Sequence, residues 1–166
     1  MNNLIKNKKN QSIELGDDVF KLVSAITPIV NVDLLIKNKL NQTLLTWRED
    51  EFFGPGWHIP GGVVRYKELI AKRILKVAEN ELKVTQIKEI SQLIALNEYL
   101  GARRTRGHGI SLLYKCKLYE IDASKFRTYS SEEKKITIDK KGMWHDSCPV
   151  DLIKEQRCYQ KFIDPF

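Results

Sequence analysis

Between Glu14 and Ile26 the apolar residues Val19, Phe20, Leu22, Val23 and Ile26 fall at near-helical spacing, with Asp17 and Asp18 available at the start. Thr27-Pro28 breaks that helix. Residues 29–36 are β-branched and nearly all apolar, the pattern of a strand buried on both faces, and Asp33 alone interrupts it with a charge. Residues 38–42 read as a turn and 43–47 as the returning strand. A stretch dense in glycine and proline follows, from Phe53 to Gly62. A helix is predicted from Lys67 to Leu82, where Ile70, Ile74 and Val77 step by four and three and mark the buried stripe. Further strands are predicted over 86–98, 110–118 and 136–144, and a last helix over 150–162. Strands on both sides of a central helix predict an α/β domain, a mixed sheet with helices on its faces. Residues 14–166 read as one such unit, after a polar, flexible segment 1–13.

Composition narrows the function classes. Apolar residues make up 42% and charged residues 30% of the 166, a globular balance that can bury a core. No run approaches the ~18 apolar residues of a membrane span. Residues 1–9 carry charge with no apolar run behind them, so no secretory signal is expected. Cys116, Cys148 and Cys158 have no C-x-x-C spacing, which argues against a disulfide framework or a zinc site and fits the cytoplasm. The net charge of +7 attracts polyanions. Its lysines and arginines are scattered, with small groups at Lys6/Lys8/Lys9 and Arg103/Arg104/Arg106. That distribution favours a phosphate-bearing small molecule over nucleic acid as partner.

The chemistry concentrates around Pro60-Gly61-Gly62 and the helix behind it. Adjacent glycines let backbone groups approach a ligand without Cβ obstruction, and a helix start offers free N–H groups to anions. Glu81 ends the apolar stripe, about 20° round the helix from Ile70. A carboxylate at the end of a core-facing row needs a partner, and a divalent cation near the glycine pair is one solution. The other is a helix that has run out into solvent at Glu81.

Gly62, five residues, Glu68, and Glu81 thirteen further on: this spacing resembles the Nudix box, G-x5-E-x7-R-E-U-x-E-E-x-G-U. Lys76-Val77 stands where the box has Arg-Glu, Asn80 where it has the first Glu of the later pair, and Lys83 where it has Gly. This loss resembles one branch of the Nudix hydrolases, the GDP-mannose mannosyl hydrolases. Similarity extends to Asp17-Asp18-Val19-Phe20, to Thr27-Pro28 with the Asp33 strand, and to Leu44-Leu45-Thr46-Trp47-Arg48. Gly56-Trp57-His58-Ile59-Pro60-Gly61-Gly62, His108 and Trp144 also have counterparts, so the likeness runs over roughly residues 17–162.

The resemblance implies a Nudix-type α/β/α sandwich with a mixed central sheet and a homodimer. It implies one Mg²⁺, with Mn²⁺ as an alternative, and water attack at the anomeric carbon of a nucleotide-diphosphate sugar, releasing GDP. Carried over, the Gly61 carbonyl and the Glu81 carboxylate hold the metal, Arg48 lies along the diphosphate and Asp33 holds sugar hydroxyls. Gly62 and Glu68 belong to the motif, with Glu68 read as a structural ion-pair residue, partnered by Lys72 or an arginine. Trp57 either stacks on a base or packs in the core. His108 is either a substrate contact or a structural histidine at a strand start. Surface or turn roles for Arg48 and Asp33 stay open. The branch carries Gln-His before the residue matching Trp144; counting back without gaps, those positions are Ile138 and Asp139. Asp139 is then the replacement base, with Glu132 or Glu133 reaching in as an alternative. Two other readings follow from the same residues: a binding module for nucleotide sugars without turnover, and a pyrophosphohydrolase in which Glu79 shifts toward the metal.

Overall fold

The structure is a computed structural model, and it describes residues 16–50, 53–101, 106–130 and 142–164. Helix α1 (Asp17–Ile26) leads into strand β1 (Ile29–Ile36), followed by β2 (Thr43–Asp50), β3 (Gly54–His58) and β4 (Gly61–Val63). Helix α2 (Ile70–Val77) continues into a π-helical turn (Ala78–Leu82), and β5 (Glu89–Leu100) and β6 (His108–Lys117) follow. A short α3 (Glu120–Ala123), β7 (Met143–His145), a 3-10 turn (Lys154–Tyr159) and α4 (Gln160–Ile163) complete the described chain.

Two sheets result. One has the order β4-β1-β6-β5, the other β3-β2-β7. The first is mixed, because β1 runs parallel to β6 and antiparallel to β4. Its central strand carries two cores. Val32, Leu34 and Ile36 enter one cluster with Ile74, Val77, Ala78 and Leu82, while Leu35 enters a second with Leu45, Trp57, Leu113, Met143 and Tyr159. A strand whose successive side chains enter separate cores is necessarily apolar almost throughout. The predicted stripe of α2 is the one that packs on β1.

Several elements differ from expectation. Helix α2 begins at Ile70 instead of 67, because Lys67 adopts a left-handed φ of 58° and the Glu68 carboxylate accepts the Arg65 backbone N–H at 3.0 Å. The Gly/Pro-dense stretch forms strands: Gly54–His58 pairs with β2, and Gly61–Val63 pairs with β1. The last helix breaks into a 3-10 turn and a single α-helical turn. Of the strand predicted over 136–144, only 142–144 fall within the described residues. The segment 1–13 and Glu132 and Glu133 lie outside them.

Glycine at 61 and 62 has a steric cause. A Cβ on Gly61 collides with the Asp33 carboxylate, and one on Gly62 comes within 2.9 Å of Val77 Cγ2. The pair therefore lets Asp33 and helix α2 close on β4 from two sides.

Candidate active site

In the β1–β4 ladder, Leu34 N–H donates to Pro60 C=O at 2.8 Å and Val64 N–H to Val30 C=O at 2.9 Å. Gly61, opposite Asp33, thus occupies a non-hydrogen-bonded position, and its N–H and C=O point away from β1 along the outer edge of the sheet. Glu81 stands at that edge, its Oε1 accepting the Gly61 N–H at 3.3 Å. Its Oε2 accepts the Thr46 hydroxyl at 3.2 Å and lies 3.2 Å from His58 Nε2. Thr46 and His58 face each other across the β2–β3 ladder, which presents both to the helix end. The π-helical turn brings Glu81 there. It closes with Val84 N–H on Ala78 C=O, and Lys83 caps it in a left-handed conformation at φ 57°. Lys83 thus fills a backbone position where glycine is ordinarily favoured.

A cavity of about 140 Å³ adjoins this edge. Its lining includes Asp33, Arg48, His58, Gly61, Ser111 and Tyr159. Asp33 is buried and accepts the Tyr159 hydroxyl at 3.0 Å. Burial pushes its carboxyl up to about 7, against the hydrogen bonds from Tyr159 and Ser111; Glu81 adds to the rise and Arg48 opposes it. Tyr159 is pushed up in turn, by burial and by the Asp33 charge. Arg48 donates to Asp50 Oδ2 from Nε and from a terminal nitrogen, each at 2.6 Å, and its guanidinium lies 4.8 Å from the Phe53 ring. The fork is held at the cavity wall with one aromatic face beneath it.

The 3-10 turn closes the site from the far end of the chain. Gln156 accepts the Ile59 N–H at 2.6 Å and donates to the Ile59 carbonyl at 3.2 Å, fixing the approach to the glycine pair. Sequence reasoning missed Gln156, Tyr159, Thr46 and His58. The last two had a signal in the alternation of β2 and β3, where each falls one residue from a tryptophan.

Several sequence-derived candidates take other places. Trp57 is 1% exposed and makes edge contacts with Trp47, Tyr129 and His145 in the second core, so base stacking by Trp57 is corrected to core packing. Alternation explains it: Trp57 and His58 point to opposite faces of β3. His108 sits apart from this cavity. It pairs with Glu98 at 3.0 Å and is absent from the cavity lining, because alternation along β6 turns it away from the face carrying Ser111. Glu68 has a fully buried side chain bound by Arg73 at 2.6 Å and by Lys76 at 3.5 Å, so Lys72 is not its partner. Burial alone raises a carboxyl, yet the Arg65 N–H, Arg73 and Lys76 hold Glu68 below the usual range. Asp139 lies outside the described residues.

The donor set suits a hard cation. Glu81 is partly exposed, the Gly61 carbonyl faces the same edge, and Asp33 is adjacent. Among the described residues no group of three or more His, Cys, Asp or Glu side chains forms a complete metal cage. A site of so few protein donors fits an ion that keeps waters or takes substrate phosphates as ligands.

Known proteins place the fold. A MutT Nudix hydrolase from Burkholderia pseudomallei superposes with a TM-score of 0.59 at 17% identity, covering 82% of this chain and 98% of that one. A Nudix hydrolase from Nitrosomonas europaea gives a TM-score of 0.52 at 11% identity over 84% of this chain and 82% of its own. The chain has the Nudix fold. Low-salt glycan biosynthesis protein Agl8 of Haloferax volcanii is 37% identical over 70 residues, which is 42% of this chain and 44% of that protein. The match thus spans less than half of the curated relative. No protein-family profile matches the chain.

Proposed function

We propose that the chain is a divalent-cation-dependent hydrolase of a nucleoside diphosphate-linked sugar of the GDP-mannose kind. In this reading water attacks the anomeric carbon, and GDP and free sugar leave. The observation that carries it is the convergence of Glu81 on the free edge of Gly61, beside a cavity walled by Asp33 and Arg48. Glu81 and the Gly61 carbonyl hold the cation, which when bound neutralises the departing diphosphate. Arg48, with one edge of its guanidinium bound to Asp50, offers its remaining N–H groups to the same leaving group. Asp33, poised by Tyr159 and Ser111, receives the sugar hydroxyls. As a new oxygen bond forms at the anomeric carbon, the bond from that carbon to the diphosphate breaks with its electron pair. Asp139 is assigned the water's proton. The Agl8 match, to a protein named for glycan biosynthesis, supports a sugar-linked substrate.

The test is product analysis with Mg²⁺ or Mn²⁺ and a panel of GDP-sugars. GDP plus free sugar is the expected result. GMP plus sugar phosphate overturns the reading in favour of a pyrophosphohydrolase, and tight binding without product overturns it in favour of a binding module.

A further inference from the structure

His58 Nε2, Thr46 Oγ1 and Glu81 Oε2 form a closed triangle with sides of 3.1, 3.2 and 3.2 Å. All three atoms can present lone pairs: the Thr46 hydroxyl donates to Glu81, and His58 Nε2 carries a lone pair in its Nδ1–H tautomer and an N–H in the other. The histidine is buried on β3, yet it contributes to the lining of the cavity that also contains Gly61 and Asp33. An imidazole nitrogen is therefore set against the Glu81 carboxylate at the π-helical turn, on the same side as the outward-facing Gly61 edge.

We propose that His58 is a direct ligand, through Nε2, of the cation held by Glu81 and the Gly61 carbonyl, so that the site selects Mn²⁺ over Mg²⁺. The proposal rests on the cation reading given under Proposed function and adds to it a ligand and a metal preference. The chemistry follows from donor type. Carboxylate, carbonyl and water suit Mg²⁺ and Mn²⁺ alike, whereas imidazole favours the transition-metal ion. Thr46, which reaches both His58 and Glu81, orients the two ligands from behind and needs no bond to the metal. Trp57 on the other face of β3 is locked in the core, which fixes the strand that presents His58.

The experiment is pulsed EPR on the full chain loaded with Mn²⁺, prepared with ¹⁵N-labelled histidine, beside calorimetric titrations with Mn²⁺ and Mg²⁺. A histidine nitrogen coupling in the wild-type spectrum, and Mn²⁺ binding about tenfold or more tighter than Mg²⁺, are expected. In His58→Gln the coupling disappears and the Mn²⁺ preference collapses, while Glu81→Gln loses binding of both ions. The wild-type spectrum needs no variant to fold. Bound Mn²⁺ with no histidine coupling, or a coupling that persists in His58→Gln, overturns the proposal, and loss of binding in Glu81→Gln then leaves the cation reading standing. A wild-type chain that binds neither ion overturns both.

Discussion

Glu81 and Gly61 lie twenty residues apart in sequence, yet the backbone N–H of one reaches the carboxylate of the other at 3.3 Å. The contact needs a free sheet edge at Gly61, a helix docked close enough on Gly62, and a π-helical last turn. Glu81→Gln keeps the shape and removes the charge. On this account it lowers kcat about a hundredfold or more, measured with the best GDP-sugar, while thermal stability changes little.

Gly61→Ala tests the close approach from the other side. The added methyl group meets the Asp33 carboxylate, which can retreat only by giving up its bond from Tyr159, and the Val32 carbonyl, which is part of β1. A loss of about 1–3 kcal/mol in urea unfolding is expected, accompanied by weaker cation binding.

Lys83 offers the opposite test. It holds a left-handed φ of 57° at the end of the π-helical turn, a conformation costly for any residue with a Cβ. Lys83→Gly should stabilise the protein by roughly 1 kcal/mol, read as a rise in the denaturation midpoint at unchanged slope.

The acid limb of stability should report His145. Its ring is buried, stacked 4.7 Å from Tyr129 and set edge-on 4.4 Å from Trp57, with Nε2 among the described buried atoms that lack a hydrogen-bond partner. Burial lowers its pKa from 6.5 to about 4, and nearby Asp146 opposes that only in part. The unfolded chain therefore binds a proton more readily. The contribution is intact above pH 6.5 and is lost as pH falls toward 4, by up to ~3 kcal/mol. His145→Phe should flatten that interval, measured as unfolding free energy against pH.

Gln156 ties the C-terminal turn to the site. Gln156→Leu leaves both backbone groups of Ile59 without their buried partner, at a cost of about 1–3 kcal/mol each. The same change should raise KM for the nucleotide sugar, because Ile59 leads directly into Pro60-Gly61.

Local pattern made much of this readable in advance. The run at residues 29–36 names a doubly buried strand, and the Ile70-Ile74-Val77 row leads the eye to Glu81. Pairing between distant segments was not readable. Glycines and prolines around Trp57 suggest a ligand loop, but β2 recruits the segment as a strand and turns the indole into the core. His58, one residue later, is thereby delivered to the site. Tyr159 meets Asp33 across 126 residues, a contact that no local periodicity announces. His108 carries a family likeness, but its place on β6 is set by strand alternation, which turns it toward Glu98.

Hydrolysis in ¹⁸O-labelled water, followed by mass analysis of both products, tests the central claim most directly. Attack at the anomeric carbon places the label in the released sugar and leaves GDP unlabelled. Label in a phosphate group of either product contradicts the account.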